Sequence, residues 1–464
     1  MLHMDAREIA AAVTASKLDA VDVAEAFIAC IEAANPALNA LVRFEPETAR
    51  REARDIRQRA KSGEAMPLAG VPVVVKDKGW VGGRRIAQGS RLYADHVAPE
   101  DAIGVARLRK AGAVIIGIGN SPEFASKGVT NSPFHGTTLH PLDGRLTPGG
   151  SSGGNAAALA ADFAPIALGT DSGGSGRRPS AHTGTVGFKP SFGAIPYGPG
   201  FPEPFWGIAV LAPMGRTVSD VAALFDAIAG PHPRDPESIS IDPTPPAHPL
   251  RGRIAFSPRL GLSVPVDPDV SRAIEVAIGA LTNAGWAIER ADPQWPAGFS
   301  ETAVMPMQAA GLVALQGETF KRDPDAFDPD IRAQIERGLK LTGADVAQAL
   351  EASQNIKRTV GVFFQDYDLL LCPTAPCVAW PHTRLGPERI DGVEVGPRGH
   401  AVFTPLFNHG LVPAISIPCG QGRDGLPVGL QIIGRRGQDR RVLAAAAVAE
   451  AHLVRFNDYR RCRA

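Results

Sequence analysis

Between Gly149 and Gly187 the chain concentrates glycine and serine beyond what a helix or strand interior tolerates. GGSSGGNAAALAA begins at Gly149, and GTDSGGSGRRPSAHTGTVG begins at Gly169. Glycines in such number mark positive φ angles or a backbone that must come close to something. Free backbone N–H groups beside a hydroxyl make an anion pocket, fit for a phosphate or for a tetrahedral oxyanion. Three chemistries compete for it. A phosphate loop needs GxxxxGK[ST], and no lysine follows these glycines, which disfavours nucleotide binding. A nucleophile elbow, GxSxG, occurs formally at Gly149-Gly150-Ser151-Ser152-Gly153. An elbow needs a strand directly before it and a His–acid pair. Here Asp143–Pro148 is turn-rich, and His182 is close to the second cluster but stands alone. The third chemistry pairs the serines with a lysine base.

Lys76 is the candidate. Only ten of the 48 basic residues are lysines, and this one directly follows the apolar run Val71–Val75. A lysine that ends a buried strand is costly unless it is neutral or paired. The structural alternative is that it snorkels to solvent or pairs with Asp77. As a base it must lose its proton near neutral pH, a fall from about 10.4 that amounts to about 4 kcal/mol. Burial beside Val73–Val75 would supply that shift.

The elements that must position these groups follow from periodicity. The first sixty residues read as two amphipathic helices. Val23, Phe27, Ile28 and Ile31 recur at helical spacing with Pro36 closing the first, and Glu45–Arg59 forms a charged second helix ended by Gly63. The runs Val71–Val75 and Ala113–Ile118 are buried strands, with a helix over Asp101–Gly112 between them. Further strands are expected at Arg253–Ser257, Tyr367–Cys372, Val412–Ile417 and Val428–Ile433. Further helices are expected at Thr217–Ile228, Asp269–Ala284 and Arg441–Val454. The pattern is that of an α/β protein whose sheet is covered on both faces. The proline-rich stretch 231–249 is an exposed connection, and strands continue after it.

Composition sets bounds on the rest. Of 464 residues 44% are hydrophobic and 21% charged, which excludes a disordered or fibrous chain. Lys plus Arg, 48, equals Asp plus Glu, 48, so no overall field draws nucleic acid or an anionic membrane. The clusters Arg84–Arg85 and Arg435, Arg436, Arg440, Arg441 read as solvated helix ends or loops. Five cysteines do not make a disulfide framework. Cys372 and Cys377, around two prolines, lack the spacing and partners of a zinc site and read as core residues, so no metal is expected. No signal peptide or membrane span is legible, and a cytoplasmic location is the expectation.

In its motifs the chain resembles the amidase signature family. Ser151 in GGSSGG and Ser175 in DSGGS keep that family's separation of 24, and Lys76 precedes Ser151 by 75. The likeness extends to VPVVVKD, to GNSPEFA at Gly119–Ala125, to GFKPSFG at Gly187–Gly193, to APMGRTVSD at Ala212–Asp220, and to Pro427–Ile433. It covers nearly the whole chain. The resemblance implies one amidase domain over 1–464 with its catalytic core at about 64–230, built as a single large mixed β-sheet sandwiched by α-helices. It implies a Ser–Ser–Lys triad: Ser175 as nucleophile, Ser151 after a cis peptide from Gly150 as relay, and Lys76 as unprotonated base. The backbone N–H groups of Ser172, Gly173, Gly174 and Ser175 would form the oxyanion hole, and a carbonyl near Ala125 would line the substrate side. The activity implied is hydrolysis of a linear carboxamide through an acyl-enzyme, on a small-molecule amide, without a cofactor. The alternatives are the glutaminase subunit of a tRNA-dependent amidotransferase and a non-catalytic binding protein on the same fold. A homodimer is compatible with either. The chain departs from the family at Ser172, usually Thr; at Gly176 and Arg178, usually apolar; at Ser180, usually Ala; and at Lys78-Gly79-Trp80. These departures bear on the shape of the pocket.

Overall fold

A computed structural model describes residues 1–453 of the chain. The apolar runs become the spine of one sheet. In chain order its strands are β1 (Leu41–Arg43), β2 (Pro72–Lys76), β3 (Val114–Gly119), β4 (Ile166–Asp171), β5 (Val186–Lys189), β6 (Val210–Gly215), β7 (Ile254–Phe256), β8 (Ile288–Arg290), β9 (Leu369–Pro373), β10 (Ala414–Gln421) and β11 (Pro427–Gly434). They lie side by side as β1-β3-β2-β4-β6-β5-β10-β11-β9-β7-β8. β2 runs parallel to β3 and β4, the pairings from β4 through β9 are antiparallel, and β9-β7-β8 are parallel again. The sheet is therefore mixed.

Every residue of β2, β3, β4, β6 and β11 is buried. A strand buried on both faces needs side chains that suit an apolar environment on each side, which is why these runs do not alternate. The helices give the cover: α1 (Ala6–Thr14), α2 (Ala20–Leu38), α3 (Pro46–Lys61), α4 (Ile103–Lys110), α5 (Gly153–Ala160), α6 (Arg177–Thr183), α7 (Val218–Ile228), α8 (Pro268–Asn283), α9 (Met305–Arg322), α10 (Pro329–Gly338), α11 (Gly343–Asp366), α12 (Pro405–His409) and α13 (Asp439–Glu450). The fold is α/β, one large mixed sheet between helices.

Several expectations shift against this architecture. The first sixty residues hold three helices. The additional one, α1, is nucleated by a capping box in which Glu8 N–H donates to Asp5 and Asp5 N–H donates to Glu8. Pro36 does not close α2, which continues to Leu38 and stops at Asn39 in the left-handed conformation, φ 50°. A proline in the last turn removes one ladder bond where the ladder is about to end, so little is lost. Arg84 is not solvated: it is 5% exposed and donates to Glu52 and to the Ile115 carbonyl. β4, β5, β6 and β8 carry no strand signal in the sequence, and α9, α10 and α11 are not legible there.

The stretch 231–249 holds no helix or strand, is mostly exposed, and leads from α7 to β7. The sheet closes across it, because β5 before the stretch pairs with β10 after it. Cys372, Cys377 and Cys419 are buried free thiols, and Cys30 is half-buried. The fifth cysteine, Cys462, and the expected end of the last helix at Val454 lie outside the described residues. Among the described residues no helix is long and apolar enough to cross a membrane.

Candidate active site

Lys76 closes β2, the strand between β3 and β4. Its side chain is 1% exposed, with Nζ 2.7 Å from Ser151 Oγ and 2.9 Å from Thr170 Oγ1. Asp77 is not its partner. That carboxylate accepts the N–H groups of Ala87 and Gly89 and faces His135 Nε2 at 3.0 Å. Burial first, then the nearby Lys78 ammonium, hold the Lys76 amine well below the ordinary lysine range. A neutral amine keeps one lone pair, so it can accept the Ser151 hydroxyl proton while donating to Thr170 Oγ1.

Ser151 follows a cis peptide from Gly150 and is fully buried. The loop that carries it has no strand before it, only turn and an isolated bridge at Leu146, so the elbow geometry is absent. It is held instead by short polar contacts. Gly149 N–H donates to Thr147 Oγ1, Gly149 carbonyl accepts from Thr130 Oγ1, and Gly153 N–H donates to that same hydroxyl. The glycines are required by close approach. A Cβ at Gly150 would lie 2.8 Å from the backbone of Gly128 and Val129, and one at Gly154 would lie 2.2 Å from the Asn120 nitrogen. His182, the histidine within the second cluster, is buried and held neutral by that burial, its pKa pushed down to about 3.

Ser175 stands on the turn between β4 and α6. The turn is built around Asp171, the last residue of β4, whose carboxylate accepts the N–H groups of Gly174, Gly176 and Arg177. Arg177 meets Asp171 in a fully buried bidentate pair and reaches on to Asn408, Gln431 and the Thr404 carbonyl. Burial alone pushes the Asp171 carboxyl up, but Arg177 and the Asn408 amide outweigh it and hold it well below the usual carboxylate range. Thr404 Oγ1 donates to the Gly173 carbonyl and ties down the middle of the turn.

The structure thus brings Lys76 and Ser151 into direct contact and places Ser175 beside them through the backbone, since Ser152 N–H donates to the Ser175 carbonyl at 3.2 Å. No hydrogen bond among the described residues engages Ser175 Oγ, which leaves the hydroxyl free to rotate. Ser175, Ser172, Gly173 and Ala125 line a cavity of about 540 Å³, walled on other sides by Phe205, Ile208, Val304 and Met305. Gly174 is held differently from Ser172 and Gly173. Its N–H is taken by Asp171 at 2.7 Å and it does not line the cavity, because the tight turn needs that donor to brace itself. Thr170, Asp171, Asn408 and Gln431 belong to the site without being among the residues expected from sequence. Thr170 and Asp171 stand in the GTDSGGS motif, two polar residues at the end of a buried strand, which is the available signal.

A buried lysine amine stands against a serine hydroxyl on a large mixed sheet, and a second serine, Ser175, lines the cavity nearby. Comparison with known proteins gives the class. The model of the family described as Amidase matches residues 22–443. The chain is 36% identical to an acylamidase of Rhodococcus erythropolis, over 97% of this chain and 96% of that protein. It is also 36% identical to a glutamyl-tRNA(Gln) amidotransferase subunit of Symbiobacterium thermophilum, over 93% of each. Among solved structures, a bacterial aryl acylamidase of the amidase signature family superposes with a TM-score of 0.90 at 29% identity, over 98% of this chain and 97% of that one. A 6-aminohexanoate cyclic dimer hydrolase in complex with substrate superposes with a TM-score of 0.87 at 28% identity, over 97% of each. The chain belongs to the amidase signature family and is an amidase, a hydrolase acting on amide C–N bonds.

Proposed function

We propose that this amidase cleaves a linear carboxamide through a serine acyl-enzyme, with Ser175 as nucleophile, Ser151 as relay and Lys76 as base. The observation that carries the reading is the 2.7 Å contact between a fully buried lysine amine and Ser151 Oγ. Ser175 Oγ attacks the amide carbon, its proton passes to Ser151 Oγ, and the Ser151 proton passes to Lys76 Nζ. The carbonyl electron pair moves to oxygen, where backbone N–H groups of Ser172, Gly173 and Ser175 receive it. The Ala125 carbonyl borders the substrate. Collapse breaks the C–N bond, and the leaving amine takes back a proton from Ser151, replenished by Lys76. A water molecule then repeats the sequence on the ester and releases a carboxylate. The whole chain acts as one amidase domain, with residues 64–230 as catalytic core, in the cytoplasm and on a small-molecule amide.

A second reading, favoured by the amidotransferase subunits among the relatives, is a glutaminase that serves a partner. Both readings share Ser175. Replacing it in Ser175→Ala lowers turnover at least about a thousandfold, as triad deletions do, and abolishes labelling by a fluorophosphonate. Near-normal turnover in folded Ser175→Ala returns the nucleophile to Ser151. Ammonia release by the isolated chain from L-glutamine but not from simple amides supports the glutaminase instead.

A further inference from the structure

The cavity in front of Ser175 holds positive charge that the proposed hydrolysis leaves unused. Arg178 lies in the first turn of α6, is 5% exposed, and lines the cavity. Its backbone N–H donates to the Gly174 carbonyl at 2.8 Å, and its Nε lies 3.0 Å from where a Cβ at Gly174 would stand. The guanidinium is thus packed against the residue that precedes Ser175. Its Nε and Nη1 are both buried, and neither has a hydrogen-bond partner. The neighbouring Arg177 is the opposite case, with every branch engaged.

Among the described residues Arg178 forms no ion pair, and Asp171 acts on it only through space. Asp171 is taken up bidentately by Arg177. Of the acids on the cavity wall, Asp330 pairs with Lys127, and Glu301 forms no ion pair with Arg178 among the described residues. A second guanidinium, Arg398, borders the same cavity and is also unpaired among those residues. Burial, then the Arg398 charge, disfavour the charged Arg178 guanidinium and push its pKa down to about 9. A buried, unpaired guanidinium is strongly unfavourable unless a ligand brings the counter-charge, and its planar fork matches a carboxylate. Among the described residues no backbone carbonyl or hydroxyl accepts from Arg178 Nε or Nη1, unlike the dense network around Arg177.

We propose that Arg178, supported by Arg398, binds a carboxylate on the acyl side of the substrate, so that the preferred substrates are half-amides of short dicarboxylic acids. This rests on the reading of Ser175 as nucleophile. The chain length follows from position: a guanidinium beside Gly174 meets a group only a few bonds from a carbonyl seated at Ser175. The acyl side follows from the relay, because the leaving amine must face Ser151, and no hydrogen bond among the described residues joins Arg178 to Ser151 or Lys76.

The test compares kcat/KM for succinamate, which carries the carboxylate, with butyramide, which has a methyl in its place. It is run on the wild type, Arg178→Met and Arg178→Lys, with N-acetylglycine against N-methylacetamide as the amine-side control. The wild type is expected to favour succinamate by about tenfold to a hundredfold, the worth of a charged hydrogen-bond pair. Arg178→Met brings that ratio close to one, and Arg178→Lys, which keeps the charge but loses the fork, recovers part of it. If Arg178→Met fails to fold, the drop of the ratio in Arg178→Lys carries the test. Succinate should also protect Ser175 from fluorophosphonate at lower concentration than butyrate does. A wild-type ratio near one overturns the proposal, as does a variant that slows both amides equally, a preference confined to N-acetylglycine, or no turnover of either amide. Labelling of Ser175 is scored separately, so the hydrolase reading can stand when this one falls.

Discussion

The proposed mechanism makes two demands of Lys76: burial must take its proton, and the neutral amine must still find partners. Ser151 Oγ and Thr170 Oγ1 meet the second demand at 2.7 and 2.9 Å. Because burial lowers the pKa of the amine, the base form grows as pH rises through that lowered value, and kcat/KM should climb with pH along this limb. Arginine stays protonated at any usable pH. Lys76→Arg is therefore expected to be as inactive as Lys76→Ala, measured as amide turnover in folded protein. A lysine needed only for its charge would be rescued by arginine, so substantial activity in Lys76→Arg counts against the base. Thr170 gives a finer test. Its hydroxyl accepts from the amine, and losing an acceptor disfavours the ammonium form further. Thr170→Val should shift the rising limb to lower pH and reduce kcat, the buried N–H then lacking a partner at a cost of about 1–3 kcal/mol.

The element that matters most is the turn from β4 into α6. Asp171 receives three backbone N–H groups there and pairs with Arg177, and Arg177 carries the turn across to Asn408 and Gln431. Removing one partner of a buried pair leaves the other charge uncompensated. Asp171→Asn is expected to lose about 3–5 kcal/mol in urea unfolding, more than its small change in shape suggests. The folded Asp171 pKa lies below its unfolded value near 3.9, so its contribution is present above about pH 4 and fades as pH falls through the folded value. The wild type and Asp171→Asn should therefore converge in stability only under strongly acid conditions. A variant as stable as the wild type at neutral pH would show that the pair does not brace the turn.

For the whole molecule, the exposed stretch 231–249 separates two lengths of chain that share one sheet. β5 from the first pairs with β10 from the second, and the second supplies Thr404, Asn408 and Gln431 to the turn that carries Ser175. Limited proteolysis between 242 and 248 should give two fragments that co-elute in size-exclusion chromatography and retain amide hydrolysis. The first fragment, once separated under denaturing conditions and refolded alone, should be inactive. Fragments that part spontaneously, or a first fragment active by itself, would contradict the shared sheet as the source of integrity.

What the sequence determined alone was local or was written in one spacing. β2 and β3 are legible because buried β-branched runs need no help from distant residues to be recognised. Lys76 is legible because a charge at the end of such a run demands an explanation. The serine clusters, joined to Lys76 by their register, carried the family likeness. β4, β5 and β6 were hidden by Gly169, Gly187 and Pro213, residues that usually break strands. They are tolerated here because a Cβ at Gly169 would meet Ser152 and Met214, and one at Gly187 would meet Gly176, so the strand makes room for the helices pressed on it. The partners Asn408 and Gln431 stand 231 and 254 residues from Arg177, beyond the reach of any periodicity. The same holds for Gly174, whose N–H the sequence offers to an oxyanion and the folded turn gives to Asp171. Which donors remain free, and which arginine is left without a carboxylate, depends on how distant segments meet, and only the tertiary structure decides that.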